Sequence, residues 1–192
     1  MLDKVKKLRE KAGAGVVAVK KALEEARGNE ERAVEILRRE GHSKAIKKSG
    51  RETREGVIAA YVHSNKKIGV LVQLLCETDF VARNSEFQEL ARDIAMQIAA
   101  TDPQFLKPEE VTADIVKKER KIWTEQLAKE GKPEAIAEKI LAGKEKKFRE
   151  EISLLAQPFV KDPSITVGDL VAEKVGKIGE NIQVGKFIRY DL

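Results

Sequence analysis

Few residues of this chain have side chains that could catalyse a reaction or bind a metal ion. The sequence contains one cysteine, Cys76, and two histidines, His42 and His63. Cys76 and His63 fall on two predicted neighbouring strands, but no third group that would orient the histidine accompanies them, so a structural cysteine is favoured over a nucleophile. These well-separated residues also do not make a metal site. We therefore predict a protein that is not an enzyme and that uses no cofactor or metal.

Two glycine-containing stretches resemble nucleotide-binding motifs only superficially. Gly13-Ala14-Gly15-Val16-Val17-Ala18 matches a relaxed dinucleotide fingerprint, but a predicted helix precedes it where that fold requires a strand. The stretch from Gly179 to Lys186 has one residue too many for a phosphate-binding loop, and Phe187 stands where Ser or Thr would contact magnesium. We predict no direct nucleotide binding and expect a protein that acts through its surfaces.

The most informative local pattern is the ten-residue stretch from Cys76 to Ser85. It follows an apolar run, Ile68 to Cys76, that predicts a buried strand, and it leads into Ser85-Glu86-Phe87-Gln88, which predicts a capping box at a helix start. The tip of this strand-to-helix turn carries Asp79 and Phe80 side by side. An aromatic residue on a turn must fold back into the core or project into a partner, and spacing alone favours the core.

A β-hairpin and a helix are predicted to position this tip. Residues 56–63 and 68–76 form two strands joined by a polar turn. The second strand is apolar at almost every position instead of alternating, so both of its faces need a cover. The helix that starts at Ser85 covers one face with a single apolar stripe, made of Phe87, Leu90, Ala91, Ile94, Ala95 and Ile98. In a chain this short, we expect a partner or a second copy to cover the other face.

Three short helices with tight connections are predicted before the hairpin. The second runs from Val16 to Ala26, and the third begins after the capping residue Asn29 and ends at Gly41. They form a predicted module over residues 1–41, which a basic linker over residues 42–55 follows. An RNA contact at this linker is the alternative to a solvated connection, although no aromatic residue is interleaved to stack on bases. The basic residues of the linker are Lys44, Lys47, Lys48, Arg51 and Arg54.

Residues 56–192 are predicted to form an α+β core. Two long helices over roughly residues 112–150, joined by Gly131-Lys132-Pro133, predict an antiparallel helical hairpin of the coiled-coil kind. The final strand, Ile182 to Tyr190 with Gly185 as its bulge, is expected to join the β-hairpin. The predicted fold class is therefore α+β, with a three-helix module before a small three-stranded antiparallel sheet that is packed with helices.

Composition agrees with this architecture. Charged residues make up 36% of the 192 residues and aromatic residues 5%, which suits solvated helices better than a β-sandwich. The net charge of +5 arises from 37 basic and 32 acidic residues, a balance typical of solvated helix faces. One cysteine allows no intramolecular disulfide, and neither a signal peptide nor a membrane-spanning run is recognisable. We predict a cytoplasmic protein without a membrane partner.

Three groups of residues, in the right order, resemble the elongation factor Ts family. Val5 to Gly15, followed by Lys20-Lys21-Ala22-Leu23, is similar to the family's N-terminal module, which resembles ubiquitin-associated domains. Thr78-Asp79-Phe80-Val81-Ala82 is similar to its core signature. Gly131-Lys132-Pro133 and Gln157-Pro158-Phe159-Val160 are similar to its helical hairpin and the return from it. Together they span nearly the whole chain.

The resemblance implies a guanine-nucleotide exchange factor for elongation factor Tu, acting in the elongation stage of protein biosynthesis on the GDP-bound and nucleotide-free partner. It implies that Asp79 and Phe80 insert beside the partner's magnesium and phosphate site. The implied core contacts are Thr78, Asp79, Phe80 and Val81. The implied contacts of the N-terminal module are Leu8, Arg9, Val16 and Val17, of which the two valines replace larger methionines of some members.

Two departures from the family's long form predict a homodimer. The long form has two similar core halves, whereas this chain has one, and the chain ends at Leu192 without the long form's C-terminal helix. A single half with an uncovered sheet face is expected to pair with a second copy. The competing hypotheses are an RNA-binding accessory protein, which would use the linker and the cluster Lys144, Lys146, Lys147 and Arg149, and a structural adaptor with a ubiquitin-associated-like head.

Overall fold

The computed structural model describes Val5, Lys6, Leu8 and residues 15–130 and 133–192. In chain order the elements are α1 (Val16–Glu25), α2 (Glu30–Lys48), β1 (Glu55–Val62), β2 (Ile68–Cys76), α3 (Asp79–Ala82), α4 (Ser85–Thr101), α5 (Ala113–Lys129), α6 (Glu134–Glu151), β3 (Pro158–Phe159), β4 (Asp162–Thr166), α7 (Val167–Ile178) and β5 (Gln183–Asp191). Short 3-10 helices occupy Pro108–Glu110 and Leu154–Ala156. Helices and antiparallel sheets together confirm the predicted α+β class.

Contacts divide the chain into two compact units. The first comprises Met1–Ala99 and Asp169–Leu192, and the second comprises Ala100–Gly168. The predicted division into a three-helix module (1–41), a basic linker (42–55) and an α+β core and dimerisation domain (56–192) stays a prediction. No helix in the described ranges is both long and apolar enough to cross a membrane.

The first unit begins with the pair α1 and α2. Asn29 caps α2 as predicted, because its side chain accepts a hydrogen bond from the Arg32 backbone N–H at 3.0 Å. The buried side chains of the pair form one apolar cluster with Val5 and Leu8; the cluster members from α1, α2 and the turn are Val19, Ala22, Leu23, Ala26, Ala33, Ile36 and Leu37. Val5, Lys6 and Leu8 are helical, whereas the other residues before Gly15 lie outside the described residues.

The prediction that Gly41 ends the third helix is wrong, because α2 continues to Lys48. Gly41 lies where α2 packs against α7, and a Cβ on Gly176 of α7 would lie 3.5 Å from the Gly41 Cα. Two helix backbones that approach this closely favour residues without side chains at the crossing. The glycine therefore serves close packing rather than helix termination, and residues 42–48 of the predicted linker are helical.

The three-stranded sheet has the order β1-β2-β5, so the final strand joins the hairpin as predicted. Its register shifts between the pairs Val72–Phe187 and Leu74–Val184, and two residues therefore oppose Gln73 alone. One of them is Gly185, which confirms the predicted bulge. A side chain there would require Gln73 to shift, since a Cβ on Gly185 would lie 2.9 Å from the Gln73 Oε1.

The helix α4 follows the short helix α3 and buries the predicted apolar stripe completely. All six predicted residues, Phe87, Leu90, Ala91, Ile94, Ala95 and Ile98, are buried. The start of α4 differs from the predicted capping box by one residue, because the Asn84 Oδ1 accepts the Glu86 backbone N–H at 2.8 Å. Asn84 supplies the acceptor oxygen that we had assigned to Ser85.

The second unit contains the predicted helical hairpin of α5 and α6. Val116, Leu127 and Leu141 are buried, and the rings of Trp123 and Phe148 meet edge to face at 5.7 Å. The connection Gly131-Lys132 lies outside the described residues. The apolar residues Ile122 and Ile136 do not face inward, since both are half exposed. Narrow seams of this kind leave such flanking positions in solvent.

A small sheet that the sequence did not predict follows α6. Pro158 pairs with Thr166 and Phe159 with Asp162, so β3 and β4 form an antiparallel two-stranded ribbon. The motif Gln157-Pro158-Phe159-Val160 gives no strand signal of its own, because Pro cannot donate to a ladder. The ribbon's strands have two and five residues and carry no alternating apolar pattern, which explains why periodicity missed them.

Candidate functional site

Phe80 projects from the surface of the first unit on α3, directly after the central strand β2. Its side chain is 81% exposed. The alternative that Phe80 folds back into the core under the turn is therefore wrong. Asp79, beside it, is 46% exposed and forms an ion pair with Arg83, one helical turn later, at 3.0 Å. The turn thus presents an aromatic ring and a carboxylate to solvent side by side, on a surface where a partner can reach both.

Thr78 forms the base of this tip through its backbone and its side chain. As the N-cap of α3, its hydroxyl oxygen accepts the Val81 backbone N–H at 3.4 Å. The Cys76 thiol donates to the Thr78 carbonyl oxygen at 3.2 Å. Burial raises the pKa of this thiol to about 11, and the Glu180 carboxylate adds to the shift, so the sulfur stays a protonated donor at neutral pH.

Glu180 is a residue of the site that the sequence did not indicate. Its Oε2 accepts the backbone N–H groups of Glu77 and Thr78, both at 3.0 Å, and its Oε1 accepts the Thr78 hydroxyl at 2.6 Å. Glu180 follows Gly179, whose φ of 91° turns the chain between α7 and β5. No local pattern could have found this contact, because 102 positions separate Glu180 from Thr78.

The residues implied for the N-terminal module differ in exposure. Val17 is 83% exposed and Val16 50% exposed at the start of α1, so their side chains are accessible. Leu8 is 2% exposed and belongs to the apolar cluster of α1 and α2, where it supports the module from within. Arg9 lies outside the described residues. Direct partner contacts of Leu8 and Arg9 therefore stay predictions.

The sheet has one buried and one open face. Val70, Val72, Leu74 and Cys76 of β2 are buried, whereas Leu71 between them is 48% exposed. Strand pairing places further apolar residues around Leu71 on the same open face, which we call the open sheet face: Ile58, Ala60 and Val62 of β1 and Ile188 and Tyr190 of β5. Ile58, Val62 and Tyr190 are each about two-thirds exposed. Such a contiguous apolar patch is typical of an interaction surface.

Several basic groups of the predicted linker have partners within the chain. The Lys48 ammonium donates to the Gly179 carbonyl oxygen, and Arg51 lies 3.4 Å from a Glu77 carboxylate oxygen. Arg54 pairs with Glu52. On α6, three of the four residues of the basic cluster are likewise paired, in the ion pairs Lys146–Glu150, Lys147–Glu151 and Arg149–Glu145. These pairings reduce the positive charge that each segment presents to an outside partner.

Within the part of the chain that the structure describes, the acidic, histidine and cysteine side chains are not arranged as a metal centre. In residues 15–130 and 133–192, and at Val5, Lys6 and Leu8, no three His, Cys, Asp or Glu side chains come together so that they could hold an ion. What the site presents is an exposed Asp-Phe tip, with an aromatic ring and a carboxylate that are both accessible to a partner.

Comparison with known proteins identifies close relatives. A family model described as elongation factor TS matches residues 7–192. The chain is 57% identical over 188 residues to elongation factor Ts of Solidesulfovibrio magneticus, which covers 98% of this chain and 94% of that protein. It is 52% identical over 188 residues to elongation factor Ts of Carboxydothermus hydrogenoformans, covering 98% and 87% respectively. For Thermosipho melanesiensis the identity is 54% over 186 residues, covering 97% and 95%.

Proposed function

The chain belongs to the elongation factor Ts family, and from that premise we propose that it is a guanine-nucleotide exchange factor for elongation factor Tu, working in the cytoplasm. The observation that carries the proposal is the 81% exposure of Phe80 on a turn whose base is held by hydrogen bonds. Insertion into a partner requires an accessible ring, and the family resemblance assigns that role to Phe80 and to Asp79 beside it.

Exchange requires no catalytic residue. The factor binds the nucleotide-free partner more tightly than the GDP-bound partner, and by reciprocity each ligand weakens the binding of the other. The free energy of the new protein–protein contacts replaces that of the contacts to GDP. The chain acts in this scheme as a competing ligand for one conformation of elongation factor Tu, and it does not need a nucleotide site of its own.

Phe80 acts as a wedge between elements of the partner's nucleotide domain. Transfer of its exposed ring into an apolar site contributes about 1.5–3 kcal/mol. A thousandfold acceleration of GDP release requires about 4 kcal/mol off the dissociation barrier. Phe80 alone supplies less than this, so other contacts must hold the wedge in place.

Asp79 contributes electrostatically at the same tip. Its carboxylate enters near the groups that hold the partner's magnesium ion and its water ligands, and it disturbs them, which loosens the nucleotide phosphates. In the free protein Asp79 is already oriented by Arg83 at 3.0 Å, so little ordering is needed on binding. Thr78 and Val81 flank the pair, and Thr78 keeps the backbone of the tip in its helical turn.

The N-terminal module supplies the remaining contacts by docking on the partner's nucleotide-binding domain. Val16 and Val17 are the accessible apolar anchors, and Arg9 is the charged contact that the family resemblance implies. Leu8 keeps α1 in position from inside the module. Docking through this module converts insertion of Phe80 into an event within one complex, which raises the effective concentration of the wedge.

We also propose that two copies pair through the open sheet face. Ile58, Val62, Leu71, Ile188 and Tyr190 would cover one another across a two-fold axis, as an isologous interface requires. Each copy would keep its own Asp79-Phe80 tip. The dimer would rebuild the two core halves that the long family form carries in one chain.

The experiment that tests the function is release of fluorescent GDP from elongation factor Tu in the presence of this protein. We expect faster release that rises with factor concentration and then saturates. No acceleration at stoichiometric amounts would contradict the proposal. Tight, salt-sensitive binding to RNA without acceleration would instead support the alternative of an RNA-binding accessory protein that uses the basic linker.

A further inference from the structure

We propose that Glu180 is a positioning residue for nucleotide exchange, because its carboxylate fixes the base from which the Asp79-Phe80 tip projects. The effect of Glu180 on exchange rests on the proposed function, whereas its hydrogen bonds to the base of the tip do not. Glu180 has no contact role implied by the family resemblance. It comes from the loop between α7 and β5, far from the tip in sequence.

Three donors converge on this one carboxylate. The backbone N–H groups of Glu77 and Thr78 both donate to Oε2 at 3.0 Å, and the Thr78 hydroxyl donates to Oε1 at 2.6 Å. All three donors belong to the two residues that directly precede Asp79. Hydrogen bonds to an ionised carboxylate are shorter and stronger than those between neutral groups.

The tip needs such support from elsewhere in the fold. α3 contains four residues, Asp79–Ala82, and a single helical turn is unstable alone because nucleation costs more than its few hydrogen bonds return. The Thr78 carbonyl oxygen and hydroxyl already bond to the Cys76 thiol and the Val81 N–H. Glu180 binds the remaining backbone N–H of Thr78, so every polar group of this residue is held.

The loop that carries Glu180 is itself fixed by reciprocal bonds. The Asn181 backbone N–H donates to the Glu77 carboxylate at 2.6 Å, while Glu77 donates its own N–H to Glu180. The buried Asn181 side chain donates to the Arg51 carbonyl oxygen at 2.8 Å. The two segments therefore brace each other, and Glu180 cannot shift without breaking these contacts.

The hydrogen bonds of Glu180 set the direction in which the Phe80 ring projects, and Glu180 itself does not contact the partner. When the partner pushes back on the ring, an unsupported turn would rotate about the end of β2 and the displacing force would be lost. Loss of Glu180 is therefore expected to slow GDP release at saturating factor while leaving binding of the factor largely unchanged. Binding should be retained while the release rate falls, because the predicted docking contacts of Val16 and Val17 lie at the start of α1 and not at the tip.

The variant Glu180→Gln tests this, because it replaces the charged carboxylate by a neutral amide, so the donors of Glu77 and Thr78 lose the stronger hydrogen bonds to an ionised acceptor. We expect about a 10- to 100-fold lower maximal rate of GDP release, the range for loss of a hydrogen bond to a charged group. The factor concentration for half-maximal release should change little. Glu89→Gln is the matched control, since Glu89 is exposed on α4 and loses the same charge.

A double variant distinguishes positioning from general destabilisation. In a Phe80→Ala background, Glu180→Gln should lower the release rate by a smaller factor than in the wild type, because the ring that it positions is gone and only Asp79 remains at the tip. An equal fold-loss in both backgrounds would overturn the proposal. Glu180→Asp, which keeps the charge but shortens the side chain, replaces Glu180→Gln in these measurements where the latter lowers the melting temperature.

Amide hydrogen exchange in the protein alone separates this inference from the proposed function. Glu180→Gln should speed exchange at the Glu77 and Thr78 amides at least about tenfold, with Glu89→Gln unchanged. Unchanged protection in Glu180→Gln would overturn the proposal whatever the release assay gives. If the wild-type chain fails to accelerate GDP release, the exchange function fails, while the amide data still decide whether Glu180 fixes the tip.

Discussion

The Oε1 atom of Glu180 lies 2.6 Å from the Thr78 hydroxyl, and the two residues are 102 positions apart. The contact joins the loop before the last strand to the turn after the central strand. Both segments lie at the same end of the three-stranded sheet, because the neighbouring strands β2 and β5 run antiparallel and the end of β2 pairs with the start of β5. The exposed Phe80 is thus supported by the sheet's long-range pairing and not by its neighbours in sequence alone.

Val17→Asp tests docking of the N-terminal module. The side chain is 83% exposed, so the substitution should leave the melting temperature unchanged. A carboxylate in an apolar contact removes the burial of a valine, worth about 1.5–3 kcal/mol, so affinity for elongation factor Tu should fall about tenfold or more. The concentration for half-maximal GDP release measures this.

The control for Val17→Asp is Ile46→Asp, at a side chain that is 73% exposed on α2 and has no predicted partner contact. It should leave the half-maximal concentration unchanged. Equal losses in both variants would argue against a docking surface at the start of α1.

Ile58→Glu tests the predicted homodimer. Ile58 is 69% exposed on the open sheet face, so the single chain should tolerate the charge, whereas a two-fold interface would bring two uncompensated carboxylates into an apolar contact. Sedimentation should give a mass of twice 21.4 kDa for the wild-type protein and 21.4 kDa for the variant. Ile122→Glu, at a half-exposed position of α5, is the control and should stay dimeric. A wild-type monomer at micromolar concentration would refute the dimer.

The ion pair of Glu86 and Lys177 should make stability depend on acidic pH. The ammonium lies 2.6 Å from the carboxylate, and this hydrogen bond lowers the pKa of Glu86 below its ordinary value of 4.5. A lowered folded-state pKa stabilises the fold above pH 4.5, and the stabilisation is lost as pH falls through the folded-state value. Glu86→Gln should therefore reduce the free energy of unfolding at pH 7 by about 0.2–1 kcal/mol, because the pair is partly exposed.

Urea unfolding of the wild type, Glu86→Gln and Glu89→Gln at pH 7, 5 and 3 measures this difference. The difference in the free energy of unfolding between wild type and Glu86→Gln should disappear at pH 3. Glu89→Gln should have the same free energy of unfolding as the wild type at every pH. A difference that persists unchanged at pH 3 would show that the ion pair is not its cause.

Periodicity predicted the elements whose packing is local. The six-residue stripe of α4 is buried as predicted, and the last strand covers Gln183–Asp191, close to the predicted Ile182 to Tyr190. Both signals come from residues two to four positions apart, which one helix turn or one strand repeat brings onto the same face. The cap at Asn29 is local in the same sense.

Features decided by distant residues could not be predicted. Gly41 has the residue type of a helix end, but it lies inside α2 because Gly176 packs against it. The turn that exposes Phe80 begins at Thr78, and Thr78 donates hydrogen bonds to Glu180, which lies far along the chain. Partner contacts at Asp79, Phe80 and the N-terminal module stay predictions, since they depend on a second protein.

The most direct test of the account is the rate of GDP release from elongation factor Tu, measured by stopped flow with saturating wild-type factor, Phe80→Ala and the control Ile122→Ala. We expect Phe80→Ala to keep the melting temperature of the wild type, because the ring is exposed. Its acceleration of GDP release should be at least about tenfold smaller than that of the wild type. Ile122→Ala should match the wild type. A Phe80→Ala protein that melts early yet accelerates release as strongly per folded molecule would contradict the wedge.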